Sequence, residues 1–399
     1  MSFVSSYLEH TQLYESPTSF WKWSAYAAIG AILRDNVYRK QGDITTYPNI
    51  FVLFLAPSGG RKGAPINLAR ELIKIVGNTK DIAGRTSIQA IIDELSHTET
   101  NSKTGKLVKG GSAILIASEL AAGIVGDSAA ISILTDLYDL KTDFKHHLRS
   151  TGRFKIDRIV LNMLAGSNAD LLKEVYTEAA VNGGLLARTF LIFPNEIRPP
   201  NSLLDAIDTS ENKIKLAEQL KKISELTGQV HITDEAKKEY DEWYKPFYNG
   251  LTKKSDKSGI LARIHTGIFK LAIILAANDL EMSIRKCHIE QAIEEGMGLI
   301  PNYNTFVMAS GKSTLSEAGA ILIPLLLESK DHMVSKKKFL QDHWHNVDNE
   351  TFDKLIITLE AAGLVQSIMQ GTSGMFYRLT EKALEKMREK QNGQSNGKT

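Results

Sequence analysis

The chain has 399 residues, 43% hydrophobic and 24% charged, the composition of a folded globular chain with room for two or three domains. Its formal charge of +2 excludes a uniformly basic nucleic-acid coat, so any polyanion site has to be local. A single cysteine, Cys287, excludes an internal disulfide and fits a reducing, cytoplasmic setting.

The opening MSFVSSYLEHTQLYES has no basic start and no apolar core, so it does not read as a signal peptide. The apolar runs SAYAAIGAIL and LAIILAA are too short to span a bilayer. Residues 1–45 predict a helical segment leading into the core. Residues 46–200 alternate strands and helices. IFVLFLA, SAILIAS, DRIVLNMLAG and TFLIFPN read as strands, and residues 65–77, 86–97, 128–140 and 169–178 as helices. That alternation predicts an α/β fold, a parallel sheet covered on both faces. IRPPNS (Ile197–Ser202) is a proline break, and residues 201–308 read as a mainly helical region, with a possible short strand at HIT (231–233) and a long amphipathic helix in LARIHTGIFKLAIILAAND. Residues 309–388 predict three helices and a two-stranded ribbon, the pattern of a winged helix-turn-helix, with Asn349 capping the third helix. The tail, residues 389–399, has the composition of a disordered segment.

Chemistry concentrates at five places. FVLFLAPSGGRKGAPINLARELIKIVG (Phe51–Gly77) breaks from strand to helix through a glycine bend that carries a lysine. A phosphate loop needs glycines so that backbone N–H groups can turn inward, a helix N-terminus behind the phosphates, and a lysine that reaches the β and γ oxygens. Pro57, Ser58, Gly59, Gly60, Arg61, Lys62, Gly63 and Ala64 fill that layout. Against the pattern G-x-x-x-x-G-K-[ST], Ala56 and Arg61 replace glycines and Gly63 replaces the hydroxyl. The apolar run ending at Ser118-Glu119 offers a carboxylate at a strand end to polarise water, with Ser118 where a magnesium-holding aspartate is usual. GSN puts Asn168 beyond another strand, positioned to orient the attacking water or to cap the next helix. Arg188, just before a strand, can reach a neighbour's phosphates, and Arg263 opens the long helix where it can face nucleotide.

These features, in this order, resemble AAA+ P-loop ATPases, especially the ATPase domains of replicative-type helicases of phages, plasmids and other mobile elements. The layout is similar to that of the minichromosome-maintenance helicases. GLLARTFLIF is like their arginine-finger segment and LARIHTGIFKLAIILAAND like their second-sensor helix. The RKG spelling of the lysine loop resembles an uncharacterised P-loop family of mobile-element primase–helicase proteins. The resemblance covers roughly residues 45–385 and implies an AAA+ three-layer core with a helical lid and a C-terminal winged helix. Under it Lys62 binds phosphate, Glu119 activates water, Asn168 is the first sensor, Arg188 a finger acting in trans and Arg263 the second sensor. ATP and Mg2+ are the implied cofactors, and a homo-oligomeric ring, a hexamer, is the implied assembly.

Positive charge is local. Lys103, Lys106 and Lys109 lie in Asn101–Gly111 without an acid, and Lys141–Arg158 holds six Lys/Arg, among them Lys141, Lys145, Arg149 and Arg153, against two Asp. The resemblance implies pore hairpins at both places, binding DNA through its phosphates. Lys336 and Lys337 of SKKKF offer a further contact to DNA, although Asp348, Glu350, Asp353 and Glu360 nearly balance that unit. The pair His146-His147 lacks ligand spacing for zinc. The expectation is an ATP-driven DNA helicase or translocase in replication of a mobile element. Alternatives are a nucleotide-binding DNA loader with weak hydrolysis, and a winged-helix DNA-binding regulator with a vestigial P-loop core. No primase carboxylate cluster is visible, so priming falls to a partner.

Overall fold

Apolar runs without alternation form strands buried on both faces. A computed structural model describes residues 1–83, 87–96, 98–100, 107–109, 111–120, 128–139, 144–148, 152–156, 159–168, 184–201, 209–251, 259–303, 314–345, 347–369 and 375–385. The chain divides into two compact units, Met1–Val307 and Met308–Thr399.

The first unit is built on a five-stranded parallel sheet, so the α/β expectation holds. Its strands are β1 (Phe51–Leu55), β2 (Lys80–Ala83), β3 (Ser112–Ala117), β4 (Val160–Ser167) and β5 (Thr189–Ile192), in spatial order β5-β1-β4-β3-β2. Every residue of β1, β3, β4 and β5 is buried. Asn162 sits inside β4 without penalty because its Oδ1 accepts from Ile50 N at 2.9 Å. The helix Thr18–Leu33 is buried almost all round and packs on the sheet, Phe20 stacking on Phe54 at 4.5 Å and Trp23 lying 4.6 Å from Phe190. Gly30 makes this approach possible, since a Cβ there would lie 2.7 Å from the Pro48 carbonyl oxygen.

The helical reading of residues 1–45 is corrected at its end: helices Phe3–His10 and Thr18–Leu33 are followed by an antiparallel hairpin, Val37–Gln41 with Ile44–Thr46. Gly42, at φ +57, forms the two-residue turn with Asp43. The HIT strand is His231–Ile232. The long helix runs Ile260–Asn278. Against the expectation from its apolar run, it is long and apolar enough to cross a membrane, but 67% of that window is buried inside the fold as a core helix.

The second unit has helices Thr314–Glu328, Lys336–His343 and Asn349–Ala361 around Phe339, Phe352 and Tyr377. Two corrections apply here. The ribbon has a third strand, Met333–Ser335, pairing antiparallel with Met375–Leu379, which also pairs with Val365–Met369. The cap of the third helix is Asp348, whose side chain accepts from Thr351 N at 2.7 Å, and Asn349 is the first helical residue. The helix expected at 169–178 and the tail at 389–399 lie outside the described residues.

Candidate nucleotide site

Strand β1 ends in the bend Ala56–Lys62, and the helix Gly63–Val76 starts directly behind it, slightly earlier than its apolar period suggests. Two backbone positions shape the bend. Gly59 takes φ +80, and Gly60 lies so close to the incoming chain that a Cβ would meet the Ala56 Cβ at 2.6 Å and the Pro57 oxygen at 2.9 Å. Gly60 N donates to Pro57 O at 3.0 Å and Arg61 N to Gly59 O at 2.8 Å. Pro57, Ser58, Gly59, Arg61 and Ala64 are exposed, and Gly60 and Gly63 half-buried.

Lys62 is the helix N-cap and is buried, its ammonium donating to Ala56 O at 2.6 Å and Pro57 O at 3.0 Å. Its methylene stem runs along Gly166 of β4, where a Cβ would meet it at 3.3 Å and the Ser118 oxygen at 2.7 Å. Burial pushes the Lys62 ammonium pKa down, and the Glu119 carboxylate pulls it back up. Glu119 and Ser118 are exposed just beyond β3. Glu119 Oε1 accepts from Asn168 N at 3.3 Å, and Leu120 N donates to Gly166 O at 2.7 Å. Lys62, Ser118, Glu119 and Asn168 therefore gather at the carboxyl edge of three neighbouring strands, where open parallel sheets bind ligands. Because β4 lies between β1 and β3, the glutamate strand is about 10 Å from the lysine strand.

The two arginines do not join this group. Arg188 ends a 3-10 turn immediately before β5, whose first residue pairs with the first residue of β1, so it lies at the amino edge of the sheet. Five residues of β1 separate the edges, a span of about 16 Å. Arg188, expected to reach a neighbour's phosphates, is engaged within its own chain. It is 8% exposed, its Nε donates to Asp139 Oδ1 at 2.9 Å, its Nη2 to Asp139 Oδ2 and its Nη1 to Gly184 O at 2.9 Å. A fork of donors matched to one carboxylate and one carbonyl explains the burial. Burial pushes the Asp139 carboxyl up, but Arg188, Arg263 and Lys270 outweigh it and hold it below its ordinary value.

Arg263 is exposed in the first turn of Ile260–Asn278, and its charge acts on Asp139 and Tyr138 rather than on the lysine loop of its own chain. Lys270 belongs to the same amino-edge group: it is fully buried, donates to Asn49 Oδ1 at 2.6 Å and lies 3.9 Å from the centre of the Tyr138 ring. Sequence reasoning missed Asp139, Asn49 and Lys270. The lysine inside the apolar run FKLAIILAA was the available signal.

The first basic stretch supplies one strand of an antiparallel hairpin, Leu107–Lys109 pairing with Thr98–Thr100, and the second contains a whole one, Phe144–Leu148 with Gly152–Ile156. The register of the second sets Lys145 opposite Lys155 and His147 opposite Arg153. Lys109 ends the first hairpin, while Lys103, Lys106, Lys141 and Arg149 lie outside the described residues. In the second unit Lys337 is exposed, and Lys336 is ion-paired with Asp353. Among the described residues no three His, Cys, Asp or Glu side chains gather as a metal set. No family model matches the chain, and no curated protein matches it.

Proposed function

We propose that the chain is an ATP-binding and ATP-hydrolysing P-loop protein of AAA+ layout that acts on DNA. The observation that carries this reading is the meeting of Lys62, at a helix N-terminus, with Glu119 and Asn168 at one sheet edge. The helix N-terminus and loop N–H groups suit an anion, and Lys62 supplies a point charge for phosphate oxygens. Glu119, exposed and fixed by Asn168 N, suits accepting a proton from an attacking water. A magnesium ion fits only if phosphate and water supply most of its shell, as Mg2+ usually allows. Ser118 Oγ and the Glu119 carboxylate are the oxygen donors at hand, and the ion would offset phosphate charge.

The DNA part rests on the hairpin Phe144–Leu148/Gly152–Ile156, where like charges opposite one another are unfavourable without an anion. The three helices and antiparallel sheet of the second unit support the winged-helix reading. Arg188 and Arg263 lie on the edge opposite the lysine loop, which suits a head-to-tail ring in which one copy's arginines meet the next copy's phosphates. Gly63 and Ser118 favour a second reading, a nucleotide-binding loader with slow hydrolysis. ATP binding and turnover, measured with and without single-stranded DNA on wild type, Lys62→Ala and Glu119→Gln, test both. A motor is expected to hydrolyse faster with DNA, with Glu119→Gln binding ATP but turning over at least tenfold more slowly. A loader binds ATP without that stimulation. Binding unchanged in Lys62→Ala sinks both.

A further inference from the structure

Arg61 occupies a backbone conformation that an arginine adopts at a cost. Its φ is +56, in the left-handed region where glycine or asparagine is at ease and other side chains are strained. Its main chain is fixed at both ends: its N–H donates to Gly59 O at 2.8 Å, and its carbonyl accepts from Ser16 Oγ at 2.9 Å. Ser16 is itself buried, and its own carbonyl accepts from Trp21 Nε1 at 3.1 Å. The side chain, by contrast, is 64% exposed and is ion-paired with Glu15. Glu15 is also bonded elsewhere: its Oε1 accepts from Asn201 N at 3.0 Å. Asn201 lies in the extended stretch 193–201 that leaves β5, and Arg198 of that stretch donates to Thr11 O at 2.6 Å and Thr18 Oγ1 at 2.7 Å.

We propose that Arg61 is a second phosphate-binding cation of the lysine loop, held aside by Glu15, and that a polyphosphate takes its guanidinium from that carboxylate. This rests on the nucleotide reading above and adds a ligand class, the terminal phosphates of a di- or triphosphate. Four points support it. The residue adjoins Lys62, whose ammonium is already engaged by two loop carbonyls. A guanidinium meets phosphate through paired N–H donors, which an ammonium cannot do. The competing pair is open to solvent on its Arg61 side, 64% exposed against 22% for Glu15, so the guanidinium can leave for a phosphate while the half-buried carboxylate stays in place. The backbone anchors let the side chain swing while the loop keeps its shape. Released from Arg61, Glu15 keeps its bond to Asn201 N, and Ser16 Oγ still holds the Arg61 carbonyl.

The test is a double-mutant cycle on the full chain, measuring affinity for ATP, pyrophosphate and AMP by titration calorimetry. Glu15→Gln keeps an oxygen for Asn201 N but removes the charge, and is expected to tighten ATP and pyrophosphate binding roughly two- to fivefold, the worth of one exposed pair. Arg61→Ala is expected to weaken both about tenfold or more, with AMP little changed. In the Arg61→Ala background, Glu15→Gln is expected to have no effect, since the two act through one contact. The proposal is overturned if Glu15→Gln leaves affinity unchanged or lowers it, or if its effect survives loss of Arg61. Lys62→Ala separates the two levels. If it abolishes ATP binding while the Arg61 and Glu15 variants match wild type, the nucleotide site stands and this inference falls. If wild type binds neither ATP nor pyrophosphate, both fall.

Discussion

An ammonium taken out of water loses several kcal/mol of solvation unless its neighbours replace it, and Lys270 has partial replacement only. One hydrogen bond to Asn49 Oδ1, the face of Tyr138 and the field of Asp139 surround it. Burial is the largest influence and lowers its pKa to about 7, Asp139 opposing and Arg188 reinforcing the fall. The unfolded chain keeps the ordinary value near 10.4. Between these values the unfolded chain holds a proton that the folded chain has released. Stability from this group therefore rises as pH climbs from about 7 toward 10, and below 7 its penalty is constant. Urea unfolding at pH 7, 8 and 9 is expected to give a free energy that increases with pH in wild type, by of order a few kcal/mol across the window, and a flatter profile in Lys270→Met. Equal slopes in the two proteins would remove Lys270 from the account. Asp139 acts in the opposite range: held low by Arg188 after burial is overcome, it stabilises above the ordinary carboxylate value and loses that contribution as pH falls through its depressed one.

At the scale of elements, the bend between β1 and its helix depends on two contacts that no side chain can occupy. Gly60→Ala puts a Cβ 2.6 Å from that of Ala56, and Gly166→Ala puts one 2.7 Å from the Ser118 oxygen and 3.3 Å from the Lys62 stem. Both close on backbone or on a neighbouring Cβ, so the loop has to shift. Each is expected to lower ATP affinity at least tenfold, while Gly63→Ala, whose Cβ meets nothing, is expected to leave it within about twofold. Nucleotide titration against melting temperature checks this, and equal affinities across the three variants would show that loop shape does not govern binding. These elements were legible to different degrees. β1, β3, β4 and β5 are continuous apolar runs, and Lys62, Glu119 and Asn168 follow strand ends in sequence, so their shared edge follows from parallel strand direction. β2, Lys80–Ala83, is a four-residue edge strand with two charged residues, too short and polar for a pattern. Met333–Ser335 is a three-residue strand that pairs with a segment more than forty positions onward, and only that pairing makes it a strand. Arg188 precedes its strand where Lys62 follows one. In a parallel sheet that alone assigns opposite edges, but its partner Asp139 is 49 positions away and nothing local points to it.

For the whole molecule, the separation of lysine loop and arginines across the sheet bears on assembly. If Arg263 and Arg188 serve phosphate, the phosphate has to be bound to another copy, because about 16 Å of β1 lies between the two edges of one chain. Repeating that contact head to tail closes a ring or extends a filament. Arg188 then has to leave Asp139, whereas Arg263 is exposed at its helix start. The decisive experiment mixes two variants that each lack one half of the composite site. Lys62→Ala keeps the arginines and loses the loop cation, while Arg263→Ala keeps the loop and loses an exposed arginine, a change with little expected cost in stability. Each alone is expected to hydrolyse ATP poorly. Mixed in equal amounts, neighbours pair an intact loop with an intact arginine, and activity is expected to return to a quarter to a half of wild type, rising faster than linearly with total chain concentration. A single chain holding a complete site gives the opposite outcome: no recovery on mixing, and specific activity that does not depend on concentration.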